Sequence, residues 1–358
     1  MIIYIVMYII ILVSGIVYEE NKDKKNAKKI YCIFVALVLL FFSWARNEKL
    51  GNSDTVNMYI PRFNLVQKLS FYETFLKFIE TEPVFYLITK IITMISTNIN
   101  FYFMLCAIPL IAGVTKLIYK YSEMPVLSCF MFLGLGYYFI SYITLRNSIA
   151  LGILLFSLDY LIQRKLWKFL LVVIIASLFH SSALFFIMAY PITFFDFKIN
   201  LKWISIFLLF VIMIIFKDFF INIVFIFIKN SHLLLYKDRN VSLSLTLFVE
   251  YLLLFISTLP YRESYYEKNK KEANTLYILT YMGALLALLV VMQDVMYRVS
   301  TFYYIYIIIL LPNCINMIIK EKYKWVLSII VMIFFVVLGL KYVKDINLIP
   351  YKAFFFGG

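Results

Sequence analysis

Charge is scarce in this sequence: only 15% of its 358 residues are Asp, Glu, Lys or Arg, and 64% are hydrophobic. Soluble domains contain about 45–50% apolar residues, so the composition excludes a soluble globular protein. The apolar runs also lack the alternation of apolar and polar residues that marks the strands of a membrane barrel. We therefore predict an all-α fold, a polytopic transmembrane helical bundle.

Cysteine and histidine are rare, with four and two residues respectively. We interpret the cysteines as packing residues, because all four lie in apolar runs without CxxC spacing: Cys32, Cys106, Cys129 and Cys314. No cluster of His, Asp and Glu has ligand spacing, and no glycine-rich phosphate loop, serine nucleophile elbow or dinucleotide fingerprint is present. The sequence therefore predicts no metal site and no cofactor.

Long apolar runs without a single charge dominate the chain. They include Ile2–Val17, Ile30–Trp44, Ile204–Phe216 and Val326–Leu340. The longest approach the ~20 residues that a helix needs to cross about 30 Å of hydrocarbon, and together with the other runs they predict about 10–12 spans. We place one span at Val126–Tyr142. Because no internal repeat or soluble domain is visible, we expect a single integral membrane domain over residues 1–358.

The positive charge of the chain, +14 at pH 7, lies mostly in short loops between apolar runs. Such residues orient membrane helices, so we interpret them as topological signals and expect no nucleic-acid partner. The loop Glu19–Lys29 holds five lysines and is predicted to be cytoplasmic, which puts the N-terminus outside. Lys341, Lys344 and Lys352 would then lie outside as well, and they oppose this topology.

Two polar segments are predicted to lie on the outer face. Residues 46–81 follow the second span and combine a loop with an amphipathic helix, Arg62–Glu80, whose apolar residues recur at roughly helical intervals. Residues 217–240 form a second outer-face element around an apolar stretch that is too short to span.

A helix is predicted to start at Glu82-Pro83, since proline suits the first turn and a glutamate suits the positive end of the helix dipole. Its continuation, Val84–Ser96, is short for a span. A re-entrant segment here is favoured over a crossing one, because it leaves Lys116 and Lys120 on the inside.

Four residues stand where lipid tolerates little polarity: Arg46, Arg146, His180 and Arg298. In this topology each lies at or just inside the outer end of a helix, and charge there is costly unless it snorkels or finds a partner. For the arginines, snorkelling is the alternative to function, and Arg298 has a possible structural partner in Asp294, four residues earlier. His180 is either a packing residue or a neutral base near the surface.

Several arginines on one face, without metal ligands, suggest a site for an anion, because planar guanidinium forks suit phosphate and diphosphate. The 36 phenylalanines and 29 tyrosines belong mainly to packing and to the membrane belt, but tyrosine rings also stack on sugars. From the residues alone we infer an outer-face, membrane-embedded site for an amphipathic anion.

Four short motifs occur in a recognisable order. They are Arg46-x4-Gly51-x2-Asp54-Thr55-x3-Tyr59, Glu82-Pro83-Val84-Phe85, Leu145-Arg146-Asn147-Ser148-Ile149-Ala150 and Phe179-His180-Ser181-Ser182-Ala183-Leu184. Over about residues 1–310 the sequence resembles the EpsG-like proteins, which belong with the Wzy-type polymerases of capsule, exopolysaccharide and O-antigen. Arg298 with Phe302-Tyr303 is similar to the last arginine motif of that family.

This resemblance implies a metal-independent membrane glycosyltransferase, without cofactor, in the bacterial cytoplasmic membrane. Such enzymes join oligosaccharide repeat units carried on undecaprenyl diphosphate at the outer leaflet. The implied partners are therefore the lipid-linked oligosaccharide and membrane lipid, with a chain-length regulator and other polysaccharide-synthesis proteins as further candidates.

The same resemblance assigns roles to five residues. Arg46, Arg146 and Arg298 would bind the diphosphates, and Arg146 would also act catalytically by stabilising charge on the leaving group. His180 or Asp54 would orient or deprotonate the acceptor hydroxyl, and the choice between these two stays open.

A flippase or other transporter of lipid-linked saccharides is the alternative function. Transporters often show inverted repeats and charge that lines a path through both leaflets. Here the unusual charges concentrate on one face and no repeat is visible. A structural partner of a polysaccharide synthase is a third possibility.

Overall fold

The computed structural model of the protein describes residues 1–48, 50, 54–198, 201–216, 245–291, 294–318, 320–351 and 353. Of the residues that the structure describes, 81% are helical and none lies in a β-strand. Six helical segments within them are long and apolar enough to cross a membrane: Ile2–Glu20, Ala27–Ala45, Ile99–Tyr121, Leu145–Ile162, Val295–Asn316 and Lys322–Asp345. The predicted all-α, polytopic membrane bundle is therefore confirmed.

The α-helices of the described residues are α1 (Ile2–Glu20), α2 (Ala27–Ala45), α3 (Ile60–Lys68), α4 (Phe71–Phe78), α5 (Pro83–Ile95), α6 (Ile99–Tyr121), α7 (Pro125–Gly134), α8 (Tyr137–Ile140), α9 (Leu145–Leu155), α10 (Leu158–Ile162), α11 (Leu166–Ser177), α12 (Ala189–Ile192), α13 (Leu201–Ile215), α14 (Leu245–Ile256), α15 (Arg262–Leu288), α16 (Asp294–Tyr304), α17 (Ile307–Asn316) and α18 (Glu321–Asp345). A π-helix covers Thr55–Tyr59, and a 3₁₀ helix covers Ser181–Met188. The predicted outer-face element 217–240 lies outside the described residues.

The long helices expose an apolar surface. Leu37 of α2 is 60% exposed, and Ile330 and Val337 of α18 are 57% and 63% exposed. Contact of apolar surface with water costs about 25 cal/mol per Å². Contiguous apolar faces of this kind are therefore stable against lipid and not against water.

The described residues form two compact units. The first unit comprises Met1–Asp159, Trp167–Leu184 and Ile318–Gly358. Within it, α2 and α9 pack on α6, α18 packs on α7, and α3 and α4 pack on α5.

The span predicted over Val126–Tyr142 is wrong as a continuous helix, since the chain forms α7, a turn and then α8. Gly136 makes the turn with φ +77°, a left-handed conformation that glycine adopts without a steric penalty. A Cβ at this position would lie 2.5 Å from the ring of Tyr342 on α18. The break is therefore set partly by a helix that is distant in sequence.

The prediction of one continuous amphipathic helix over Arg62–Glu80 is also wrong. The π-helix runs into α3, the chain then breaks, and α4 begins after Ser70. A capping box makes this start, because Ser70 Oγ accepts from Glu73 N at 3.2 Å while the Glu73 carboxylate accepts from Ser70 N at 2.7 Å. The residues of α3 and α4 that are buried in one cluster with α5 and α6 are Phe63, Val66 and Phe78.

A cysteine that replaces Lys68, at the exposed end of α3, should react with a membrane-impermeant thiol reagent in intact cells if residues 46–81 lie outside. Background labelling should be low, because all four native cysteines are buried. A cysteine at Asp23, in the predicted cytoplasmic loop, is the matched control and should react only after permeabilisation. The opposite pattern would invert the topology.

Helices α6 and α9 approach each other closely at two glycines. A Cβ on Gly113 would lie 2.4 Å from the carbonyl oxygen of Gly152, and a Cβ on Gly152 would lie 2.3 Å from backbone atoms of Pro109 and Leu110. Small residues allow membrane helices to pack backbone against backbone in this way. The contact fixes α9, whose first turn carries Arg146.

We expect Gly152→Ala to lower thermal stability in detergent by at least the ~1–3 kcal/mol typical of an overpacked core, because backbone atoms cannot move aside as a side chain can. Gly15→Ala is the control, since its added Cβ would meet only the Val126 side chain, at 2.8 Å. Equal melting temperatures for the two variants would show that α6 and α9 separate at little cost.

The second unit comprises Tyr160–Leu166 and Phe185–Met317. Its longest described helix, α15, packs against α14, α16 and α17 and kinks at Asn269. Tyr251 and Tyr304 stack with ring centroids 3.6 Å apart, which joins α14 to α16. Arg298 lies on α16, so this packing fixes the helix that carries it.

Candidate functional site

Three helix beginnings in the first unit each bring one polar residue to the same place. Glu82 precedes α5, Arg146 lies in the first turn of α9, and His180 precedes the 3₁₀ helix Ser181–Met188. The start predicted at Glu82-Pro83 is confirmed, with Pro83 as the first residue of α5.

Glu82 joins the other two residues. Its Oε1 lies 2.7 Å from His180 Nδ1, and its Oε2 accepts a hydrogen bond from Arg146 Nη1 within an ion pair. The backbone N–H of Ser181 donates to Oε1 at 3.3 Å. The side chains of Glu82, His180 and Arg146 are only 11%, 10% and 19% exposed, so these interactions are weakly screened by water.

The surroundings of Glu82 act on its pKa in opposite directions. Burial raises the pKa, but the His180 hydrogen bond and the charge of Arg146 outweigh burial and hold the pKa below its ordinary value. Glu82 is therefore a carboxylate at neutral pH and only accepts hydrogen bonds. In the neutral ring of His180, Nδ1 then carries the proton and donates, which leaves Nε2 as the basic nitrogen.

Two tyrosines belong to the electrostatic environment of the Arg146 guanidinium. They are Tyr59, at the end of the π-helix, and Tyr86 of α5. Tyr86 also accepts a hydrogen bond from Arg62 Nη1, and its ring stacks on Phe78 with centroids 3.7 Å apart. Tyr86 thus connects a second arginine to the cluster.

Several polar groups near the cluster have unused hydrogen-bonding capacity. Arg146 Nε, Asn147 Oδ1 and Ser182 Oγ are buried without a hydrogen-bond partner among the described residues. Leaving such a group unpaired costs about 1–3 kcal/mol, so each calls for a ligand or an ordered water. Arg62 is partly exposed, and no ion pair with a carboxylate involves it in the described part of the chain. The arrangement can bind an anion through N–H donors beside a carboxylate-oriented histidine.

Arg46, one of the predicted diphosphate ligands, lies in the packed interior of the first unit. The residue is 1% exposed, and its guanidinium lies 3.9 Å from the ring centroid of Phe103 and 4.4 Å from that of Tyr142. Its Nη1 donates to the Tyr142 carbonyl oxygen at 3.0 Å. A ligand would have to displace one of these rings to reach this cation.

The structure places the two remaining predicted site residues as follows. Asp54 is exposed and precedes the π-helix that ends at Tyr59. Arg298 lies on α16 in the second unit and is partly exposed, and the side chain of Asp294 lies outside the described residues. Of the predicted site residues, Arg146 and His180 are therefore the two that a shared partner joins.

That partner, Glu82, is predicted from the sequence only as a helix start. Its two partners are 64 and 98 residues away, so no local spacing indicates the contact. The available signal is its place in the motif Glu82-Pro83-Val84-Phe85, which accompanies the motifs of Arg146 and His180. Within the described ranges, no three His, Cys, Asp or Glu side chains are grouped as metal ligands.

The chain matches a known family over nearly its whole length. A model of the EpsG family matches residues 29–353. This range includes the Glu82 cluster, which we define as Glu82, Arg146 and His180 with the neighbouring Tyr59, Tyr86 and Arg62. No curated protein and no solved structure matches the chain.

Proposed function

The chain belongs to the EpsG family, a bacterial family of multi-pass membrane proteins in polysaccharide biosynthesis, and we propose that it is the polymerase that lengthens the polysaccharide. The membership predicted from four short motifs is thereby confirmed. In this proposal the protein lies in the cytoplasmic membrane and joins oligosaccharide repeat units carried on undecaprenyl diphosphate. The products are capsular or extracellular polysaccharides, assembled at the outer leaflet.

The bonding of Glu82 to both Arg146 and His180 is the observation that carries this proposal. Transfer of a glycosyl group from a lipid diphosphate to a hydroxyl needs a base for the hydroxyl and positive charge for the diphosphate. A carboxylate that fixes the histidine tautomer and orients the ring is the arrangement found around many catalytic histidines. The cluster supplies both requirements within one group of side chains.

We propose that two arginines bind and stabilise the leaving group, the lipid diphosphate. Arg146 retains Nε as an unpaired donor after Nη1 bonds Glu82, and Arg62 carries a charge that no carboxylate of the described residues neutralises. Guanidinium groups bind phosphate oxygens through paired N–H donors, and they stabilise the charge that grows as the diphosphate departs. Arg62 thus replaces the enclosed Arg46 as the second diphosphate ligand in this proposal.

The proposed reaction is a single displacement. The acceptor hydroxyl gives its proton to His180 Nε2, and its oxygen forms a bond to the anomeric carbon of the growing chain. The bond between that carbon and the diphosphate oxygen breaks, and its electron pair leaves on undecaprenyl diphosphate. The proton then passes from His180 to the solvent or to the diphosphate, which restores the neutral ring.

Purified protein that is given lipid-diphosphate-linked repeat units should produce a ladder of longer products without added nucleotide or metal. EDTA should leave the ladder intact, because guanidinium groups neutralise the diphosphate in this mechanism. The His180→Ala protein, prepared in parallel, is the inactive control. If the protein instead moves lipid-linked units across liposomes without lengthening them, it is a transporter and the polymerase proposal is wrong.

A further inference from the structure

Helices α1 and α2 form a groove of about 750 Å³ far in sequence from the Glu82 cluster. Its walls are apolar and include Val13 of α1 with Ile30 and Phe34 of α2. These three side chains are 55%, 64% and 43% exposed, so the groove is open along its length. Its shape and chemistry suit a hydrocarbon chain rather than a polar ligand.

The end of the groove next to the α1–α2 loop is basic. Lys24 and Lys25 belong to its lining, and no ion pair involves either of them in the described part of the chain. The acidic residues of the same loop are not part of the lining, and one of them, Glu19, is paired with Lys22 at 3.9 Å. Two unneutralised ammonium groups therefore stand where the apolar walls end.

Two tyrosines mark the same level of the groove. Tyr18 and Tyr31 both line it, with ring centroids 5.3 Å apart. Tyrosine is enriched where hydrocarbon meets the head-group layer, so this level corresponds to the membrane interface. Because the Glu19–Lys29 loop is predicted to be cytoplasmic, the interface is that of the inner leaflet.

We propose that this groove binds an anionic glycerophospholipid of the inner leaflet. One acyl chain lies along Val13, Ile30 and Phe34, and the phosphate is bound by Lys24 and Lys25. The site selects anionic lipid because Lys24 and Lys25 place two positive charges at the end of the groove without a carboxylate of the described residues that pairs with them. A zwitterionic lipid would bring its own cationic group close to these lysines and would be bound less tightly. The site does not depend on the polymerase proposal, since it uses none of its residues.

The proposal is tested on the full-length protein in detergent by native mass spectrometry with added phosphatidylglycerol or phosphatidylcholine of the same acyl chains. The wild type should retain phosphatidylglycerol preferentially, as one tightly held molecule. Lys24→Gln with Lys25→Gln should weaken that binding about 30-fold, the loss expected of two lysine–phosphate contacts. Lys22→Gln with Lys29→Gln removes the same charge from the same loop but outside the lining, and should change it little.

Three outcomes would overturn the proposal. If both double variants weaken phosphatidylglycerol binding equally, the lipid is attracted by the total charge of the loop and not by the lysines that line the groove. If the wild type retains phosphatidylcholine as well as phosphatidylglycerol, the groove does not select an anionic head group. Binding that survives Val13→Trp, which fills the apolar wall while leaving the lysines in place, would show that no acyl chain lies there.

Discussion

Replacement of Arg146 by lysine is expected to reduce polymer formation by at least about 10²–10³-fold while the protein remains inserted and folded. Arg146 bonds Glu82 through Nη1, and its Nε is buried without a hydrogen-bond partner among the described residues, which keeps this donor available for a ligand. A lysine ammonium is a point charge without the planar fork of N–H donors, so it cannot reproduce the paired contacts of a guanidinium with Glu82 and a diphosphate. The measurement is the length and yield of the product ladder from lipid-linked repeat units.

Arg164→Lys is the matched control for this substitution. Arg164 is also anchored, donating from Nη1 to Thr193 Oγ1 at 2.9 Å and lying 4.1 Å from the ring centroid of Phe194, but it has no place in the proposed chemistry. Its lysine variant should keep activity within about threefold, allowing for modest loss of stability. A fully active Arg146→Lys protein would make Arg146 a structural or topological charge.

The second large effect is expected at His180 and Glu82. His180→Ala should lower the rate of polymerisation by about 10²–10⁴-fold with lipid-linked substrate still bound, because the acceptor hydroxyl loses its base. Glu82→Gln should approach the same loss, since an amide that donates to Nδ1 would place the proton on Nε2. Single-turnover rates and substrate binding, measured separately, distinguish these losses from weak binding.

The Asp54→Asn variant tests which of the two candidates, Asp54 or His180, is the base for the acceptor hydroxyl. Asp54 is exposed, whereas His180 is held by a carboxylate, so we expect Asp54→Asn to keep most of the activity that His180→Ala loses. The reverse result would assign the base to Asp54 and leave the Glu82–His180 pair with a structural role.

The pH dependence of stability offers a check that does not require substrate. The pKa of Glu82 is lowered in the folded protein by its partners, against the effect of burial. Its pairing therefore stabilises the fold fully above the ordinary pKa of a glutamate, and this stabilisation is lost as pH falls through the lowered folded-state pKa. Thermal melts of Glu82→Gln should lack this acid-dependent loss, and identical acid profiles for wild type and variant would contradict the assignment.

The positions of the long apolar helices are predictable from the sequence, because a segment that crosses hydrocarbon must itself be apolar and helical. A charge-free run such as Ile2–Val17 becomes α1 whatever its neighbours are, since its backbone must satisfy its own hydrogen bonds in lipid. The break at Gly136 could not be predicted in the same way, because the ring of Tyr342 on α18 occupies the space beside it.

The site shows the same division between local and distant causes. Arg146 and His180 were identified because a polar residue in an apolar run is conspicuous wherever it occurs. Their connection through Glu82 depends on the packing of three separate helix starts and has no sequence spacing of its own. Arg46 was equally conspicuous, yet Phe103 and Tyr142 enclose it, and only the folded chain brings those rings together.

One carboxylate that serves both a guanidinium and an imidazole also links their two equilibria. An anion that draws Arg146 toward itself leaves more of the negative charge of Glu82 facing His180, which increases the affinity of the ring for a proton. By reciprocity, a proton on His180 weakens the Glu82–Arg146 interaction and strengthens the binding of the anion to Arg146. In the proposed reaction, a bound diphosphate would therefore make His180 a stronger base, and the acceptor hydroxyl would be activated only when the donor is bound.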